Sequence, residues 1–343
     1  MRGLRREADV GDRQDALRHH GDREVDGLID FAVNVFPLPR PEWLDAALRV
    51  SLNDLHRYPD AGEARAAIAQ RHGRDTDEVL PTAGGAEAFT LIARARPWKH
   101  PLVVHPQFTE PEAALVTAGH TVDRVILDGD FTLDPARVPE AADLVTIGNP
   151  TNPTGVLHPA DAILSLLRPG RVVVVDEAFM DAVPGEPESL TSTQRDGLLV
   201  VRSLTKTWSV PGVRAGYVVG DREVLHDLAR QQPPWSVSTP SLAVLLATAS
   251  PGSPGEATTR AALIEHWRTL LIEQLPLPVA GDPRTPFVLV RGPLGLREKL
   301  RDEGFAVRRG DTFPGLGPEW VRIAVRPPEE TGPLIAAIEK VLS

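Results

Sequence analysis

Between Ser203 and Gly216 the chain reads SLTKTWSVPGVRAG, which sets one lysine, Lys206, after two hydroxyl side chains, Ser203 and Thr205, and eight residues before Arg214. A lysine amine must lose its proton to attack an aldehyde, and burial beside cationic groups is how its pKa is brought down. Arg214 could supply such a charge, so the chemistry this spacing allows is a Schiff base on Lys206. A single lysine in a loop is ordinarily solvated, and the segment needs company to mean more. Thirty residues upstream, Asp176 ends the apolar run VVVV. A carboxylate at the carboxyl end of a buried strand either caps the next turn or meets a ligand, because parallel sheets bind ligands along that edge.

Other segments carry polar groups that could converge with these. Residues 148–155 read GNPTNPTG, a turn-rich loop that presents Asn152. Residues 82–87 read TAGGAE, where small residues at a helix start let backbone N–H groups approach an anion. Phe108 in HPQFTEP and Tyr58 in HRYPD are aromatic side chains in loops, where a phenylalanine is more often core. Arg322 in WVRIAV and Arg326 four residues on have the planar fork that suits a carboxylate, although either reads equally well as a surface charge.

The elements that must position these residues follow from hydrophobic patterning. Uninterrupted apolar runs at 102–104, 144–147, 172–175, 198–201 and 217–219 predict strands buried on both faces. Helical patterns at 63–72, 86–96, 111–118, 159–167 and 222–231 alternate with them, which gives an α/β fold with a largely parallel sheet. After SPGSPGEA, a turn-rich break, the chain predicts a helix over 257–275, a strand at 287–290, a helix over 295–303, a strand at 321–325 and a closing helix from 329. The expected division is a large domain over 41–245, with 1–40 and 246–343 forming an N-terminal arm and a smaller α+β domain.

Bulk properties narrow the class. A length of 343 residues with 42% hydrophobic and 24% charged residues is that of a globular chain with a sizeable core. A formal charge of −10 argues against a nucleic-acid partner, which needs a basic surface. The absence of cysteine excludes disulfides, thiolate metal sites and cysteine nucleophiles, and no metal is expected. The N-terminus is polar, and no apolar run approaches the roughly 20 residues of a membrane span. The expectation is a cytoplasmic protein with no membrane partner.

Taken together, the 82–87, 148–155, Asp176 and 203–216 segments resemble the fold type I pyridoxal-phosphate enzymes, the superfamily of aspartate aminotransferase. The resemblance runs from His20 to Arg326. It implies that Lys206 carries pyridoxal 5'-phosphate, that Ser203, Thr205 and Arg214 hold its phosphate with Gly85 and Ala86, and that Asp176 pairs with the ring nitrogen. It further implies that Asn152 meets the 3-hydroxyl, that Phe108 stacks on the ring, and that Tyr58 reaches the cofactor of a partner in a homodimer. Arg322 then takes the substrate carboxylate. Two departures stand out: Phe179 occupies a place usually held by tyrosine, and Ala-Gly-Gly replaces the more usual Gly-Asn-Gly.

Within the superfamily two branches resemble the chain, the histidinol-phosphate aminotransferases and the cobalamin-pathway threonine-phosphate decarboxylases, or CobC-like enzymes. HHGD near the start, DFAVNVFP, DEAF and RIAVRPPEE resemble the latter. That likeness implies that His20, Gly21 and Asn34, with Arg326, contact a phosphorylated amino acid or amine. Asp22 puts an acid beside that supposed phosphate. The expected activity is decarboxylation of L-threonine O-3-phosphate to (R)-1-amino-2-propanol O-2-phosphate, with transamination of the histidinol-phosphate type as the alternative. A catalytically silent protein on the same fold is the rival, and intact Lys206, Asp176 and Arg214 speak against it.

Overall fold

The computed structural model describes residues 17–343; the first part of the expected N-terminal arm, residues 1–16, lies outside the described residues. A short strand β1 (Ile29–Phe31) precedes the strands of the larger sheet: β2 (Val79–Thr82), β3 (Pro101–His105), β4 (Asp123–Ile126), β5 (Leu144–Gly148), β6 (Val172–Asp176), β7 (Leu198–Ser203) and β8 (Gly216–Gly220). Their order across the sheet is β2-β8-β7-β6-β5-β3-β4. β4, β3, β5, β6 and β7 pair in parallel, and β8 enters antiparallel between β7 and β2.

The apolar runs form these strands because both faces of the sheet are covered. On one face Phe89, Leu91 and Ile92 of the helix Gly85–Ala95 and Leu225 and Leu228 of the helix Arg222–Gln231 bury Val174, Leu199 and Val201. On the other, Ile68 of the helix Gly62–His72 and Leu242 and Leu245 of the helix Thr239–Ala249 belong to the core that encloses Val173, Val175 and Val200. At about 25 cal/mol per Å² of buried apolar surface, such two-sided burial is the main force ordering the sheet. The parallel strands end together, so their carboxyl ends open along one edge.

The C-terminal third builds a second sheet in the order β1-β10-β11-β9, from β9 (Phe287–Arg291), β10 (Phe305–Arg309), β11 (Trp320–Ala324) and β1. Its core joins Phe31, Val288, Val290, Val307 and Ile323 to Ile264 and Leu271 of the helix Ser253–Gln274 and to Leu334 and Ile338 of the helix Pro328–Leu342. Beyond β4 and the helices Glu42–Ser51 and Thr239–Ala249, which the sequence patterning did not announce, three elements of this smaller unit differ from the sequence expectation. FAVRR forms β10, whose two terminal arginines had hidden it, and IDF of β1 finds its partner 276 residues away, with Ile29 paired to Phe305. The long helix begins at Ser253, inside the supposed break, because Pro254 falls in the first turn, where no backbone N–H is needed.

Candidate active site

Three backbone features build an anion cradle at the open edge. The helix Gly85–Ala95 begins there, and its first N–H groups lack intrahelical partners. Gly84 has a φ of 78°, and a Cβ at that position would stand 2.6 Å from Arg214 Nη2, so only glycine lets the guanidinium lie against this turn. Arg214 is itself held at a φ of 62°, an uncommon conformation for a side chain of this bulk. Ser203 and Thr205, both buried, point their hydroxyls together at 2.9 Å. A Cβ at Gly85 would lie 4.0 Å from that of Ser203. Two hydroxyls, a guanidinium and a helix N-terminus facing one small space fit a phosphate monoester.

Lys206 follows directly. Burial, then the positive charges of Arg322 and Arg214, lower its pKa to about 8, against the opposing pull of Asp176 and Asp22. The amine is therefore within reach of its neutral, nucleophilic form near neutral pH. Asp176 is buried at the end of β6, and burial raises its pKa to about 6, opposed by the Ala178 N–H that donates to Oδ1 at 3.1 Å and by Lys206. A carboxylate held dry in this way gains by meeting a cationic ring nitrogen. The cradle, the low-pKa lysine and the buried acid thus match the three functional ends of pyridoxal phosphate: phosphate, aldehyde and pyridine nitrogen.

Asn152 is presented by the loop after β5, which is fixed from beneath by a histidine that sequence reasoning overlooked. Buried His158 donates from Nε2 to Thr151 Oγ1 at 2.9 Å and accepts the Leu133 N–H on Nδ1 at 3.1 Å. Thr151 in turn donates to the Gly148 carbonyl at 2.7 Å, and the Asn149 side chain brackets the His158 backbone. That arrangement requires the neutral imidazole, and burial accordingly lowers its pKa to about 4. Three residues beyond Asn152, Gly155 (φ 77°) lies so close to Pro283 that a Cβ would stand 2.6 Å away. No chemical motif marks His158 in the sequence, since its role is purely local hydrogen bonding.

Arg322, on β11, faces the same space. Its Nη1 donates to Asn152 Oδ1, and Nη2 donates to the Ala32 carbonyl at 2.6 Å. Asn34, its amide oxygen turned toward the guanidinium, accepts from Nη1 at 2.9 Å. Gly21 packs against the same group, where a Cβ would stand 2.7 Å from the Ala32 oxygen and 3.6 Å from Arg322 Nη2. Segment 17–24 is strapped across the edge: Leu17 accepts from Thr109 Oγ1 at 2.5 Å, His20 Nε2 lies 2.7 Å from Glu110 Oε1, and Arg308 donates to the His19 carbonyl at 2.6 Å. The fold therefore brings His20, Gly21, Asn34, Asn152 and Arg322 together.

Arg326 is placed differently. Its Nε donates to the Asp30 carbonyl at 3.0 Å, Nη1 to the Val325 carbonyl at 3.1 Å and Nη2 to the Val33 carbonyl at 2.7 Å, with the Asp30 carboxylate 3.6 Å away. The geometry makes it a clasp on the turn that carries Asn34, in place of the substrate contact expected of it. Phe108 lies at the edge beside His20, ring centres 5.7 Å apart. Phe179 packs edge-on to Phe287 at 5.0 Å, and Phe287 in turn carries Arg322 over its face at 5.1 Å. Tyr58 stands away from these groups, 76% exposed and stacked on Trp235 at 4.3 Å. Among the described residues no cluster of histidines and acids could hold a metal, and no helix is long and apolar enough to cross a membrane.

Comparison with known proteins agrees with this geometry. Residues 26–338 match the profile of the family "aminotransferase class I and II". A histidinol-phosphate aminotransferase of Mycobacterium bovis is 47% identical over 331 residues, 94% of this chain and 90% of that protein. The threonine-phosphate decarboxylase of Salmonella typhimurium is 30% identical over 339 residues, 93% and 92% of the two chains. In the crystal structure of the histidinol-phosphate aminotransferase of Clostridium acetobutylicum, 23% identical, the same fold is found with a TM-score of 0.84 over 92% of this chain and 99% of that one.

Proposed function

The chain belongs to the aminotransferase class I and II family, an enzyme family whose cofactor is pyridoxal phosphate, and from that premise we propose that it decarboxylates L-threonine O-3-phosphate to (R)-1-amino-2-propanol O-2-phosphate, a step of cobalamin biosynthesis. The observation that carries this reading is the closure of the His20–Gly21 and Asn34 segments over Arg322, beside Lys206. It supports an α-amino acid bound by its carboxylate on Arg322 with its amine toward Lys206. The 47% identity to a histidinol-phosphate aminotransferase favours a second reading, transamination with 2-oxoglutarate as the amino acceptor.

When bound, the cofactor is an electron sink for a bond broken at the substrate α-carbon. The protein decides which bond. Arg322, held in place by Asn152, Asn34 and the Ala32 carbonyl, would take the substrate carboxylate on its charge and fix its orientation. The bond set perpendicular to the ring is the one that breaks. If that is the bond to the carboxylate, CO2 leaves with its carbon, the electron pair stays on the α-carbon, and Lys206 delivers a proton there. If it is the C–H bond, Lys206 removes the proton instead. In either case Asp176 would hold the ring nitrogen in its protonated form, and Ser203, Thr205 and Arg214 would hold the phosphate.

The homodimer belongs to the same reading. Two aromatic rings that stack on each other while exposing 76% and 60% of their surface, Tyr58 and Trp235, are what a partner subunit would cover. A cytoplasmic location goes with it. The test is to incubate pure protein and pyridoxal phosphate with L-threonine O-3-phosphate, following CO2, and separately with histidinol phosphate and 2-oxoglutarate, following glutamate. CO2 release without an oxo acid supports the decarboxylase; glutamate without CO2 replaces it by the aminotransferase.

A further inference from the structure

On the face of the sheet turned away from the cradle, one guanidinium is surrounded by acids. Side chains alternate along a strand, so Asp176 and Ser203 face the cofactor space while their neighbours Glu177 and Arg202 face the opposite side. The strands are paired in register, Asp176 opposite Val201, and Glu177 N–H extends the ladder to the Val201 carbonyl at 2.9 Å. Beneath that ladder Arg202 Nε lies 3.1 Å from Glu177 Oε2 as an ion pair, with both side chains at 2% exposure or less. Nη1 donates to Asp181 Oδ1 at 2.6 Å, and Nη2 donates to Glu186 and to Ser189 Oγ.

Glu177 is itself fully engaged. Its second oxygen accepts the Leu190 N–H at 2.7 Å, and Ser189 Oγ donates to the first at 2.9 Å. The acids on Arg202 come from residue 177, which follows the catalytic acid, from the 3-10 turn Met180–Ala182 just beyond Phe179, and from the loop at 186–190. Arg202 immediately precedes Ser203. One buried charge thus ties the backbone just beyond Asp176 to the backbone that carries Ser203, Thr205 and Lys206. A pair as dry as this has low value as a mere stabiliser, because desolvation offsets most of its attraction, yet breaking it leaves buried charge unmatched.

We propose that Arg202 is a positioning residue: it holds the ends of β6 and β7 in the relative placement at which the cofactor's ring nitrogen and phosphate are met at once, by Asp176 and by Ser203 with Thr205. The proposal rests on the cofactor and is indifferent to which bond of the substrate is broken. A displacement of about 1 Å between the two strand ends would misalign one contact whenever the other forms, an effect worth on the order of 100-fold.

The test uses full-length protein stripped of cofactor and titrated with pyridoxal phosphate, reading the dissociation constant and the pH midpoint of the visible absorption band, beside a thermal melt. Arg202→Met is expected to weaken cofactor binding about 100-fold and to shift the midpoint, and Arg202→Lys to recover about tenfold of the affinity by restoring the charge without the fork. Should Arg202→Met fail to fold, Glu177→Gln carries the test, with about a tenfold loss of affinity expected. Variants that melt earlier yet bind the cofactor with wild-type affinity and an unmoved midpoint would show a fold-stabilising residue only and overturn the proposal. Absence of a visible band in the wild type would instead count against the cofactor itself.

Discussion

The site has two ends, and they are built in opposite ways. The cofactor end is mostly local: Asp176, Ser203, Thr205, Lys206 and Arg214 lie within 39 residues of chain around two adjacent strand ends, and the helix start at Gly84 and Gly85 joins them. The substrate end is assembled from afar, with Gly21, Ala32 and Asn34 brought against Arg322 across some 290 residues of sequence. A cofactor shared by a whole family needs a fixed cradle, which short loops at strand ends give. A substrate that distinguishes one branch from another can be recognised by segments from outside the cradle, and the strap of residues 17–24 is such a segment.

The sharpest way to break this comparison is at the lysine both ends share. Lys206→Ala should abolish the visible band of the reconstituted protein and lower turnover by about 10⁴-fold or more, since both the cofactor link and the proton donor are lost. An intact band would mean that another group binds the aldehyde, and the cofactor end would have been misread.

A second pair of variants divides the substrate end itself. Arg322 and Arg326 lie four residues apart, and both are buried, but one faces Asn152 and the other faces three backbone carbonyls. Arg322→Met should raise KM for a carboxylate substrate about 100-fold, the value of a lost bidentate contact. Arg326→Met should leave KM within a few-fold while costing about 3 kcal/mol of stability, because carbonyls lose a charged donor. Equal effects of the two on KM would restore Arg326 to the substrate site.

These outcomes bear on what the sequence can reveal. The cradle was legible because its residues sit in two short stretches, at 84–86 and 203–214, and each has a distinct chemical reason to be there. The strands of the large sheet were legible too, since burial on both faces leaves an unbroken apolar run. β10 was not, because Arg308 and Arg309 end it: Arg308 is buried with its charge spent on the His19 carbonyl and Thr312, which no periodicity announces. Arg326 was read as a ligand-binding side chain because a guanidinium on a strand end suits both tasks, and only the turn made by Asp30, whose carboxylate accepts from Ala32 N and Val33 N, aims carbonyls at it. His158 and Arg202 act through hydrogen bonds to loop groups that only the fold brings to them, and no motif marks such contacts.

A smaller effect separates the ends by pH. Burial raises Asp176 from 3.8 to about 6, so between pH 4 and 6 an unfolded chain releases a proton that the native cofactor-free protein retains. Stability without cofactor should therefore fall as pH rises through that window, by on the order of 3 kcal/mol from this residue, and level off above it. Asp176→Asn should remove that part of the slope. Saturating cofactor should remove it as well, because a protonated ring nitrogen beside the carboxylate lowers its pKa again. A wild-type slope identical to that of the asparagine variant, measured by denaturant titration at each pH, would show that the carboxylate is better solvated than its burial implies.

The smallest effect tests where the two ends touch. Phe179, three residues beyond Asp176, packs edge-on against Phe287, on whose face Arg322 lies, so one aromatic contact joins cofactor and substrate ends. A tyrosine there would add a phenol able to donate to the cofactor's 3-oxygen beside Asn152. Such a donor stabilises the anionic oxygen and weakens the hold on the proton that the oxygen shares with the Lys206 nitrogen. Phe179→Tyr should thus move the pH midpoint of the visible band down by about one unit, roughly the 1.4 kcal/mol of one hydrogen bond. An unmoved midpoint would place the phenol out of reach of the 3-oxygen, leaving Asn152 to set the proton balance alone, and the aromatic contact would then serve Arg322 only.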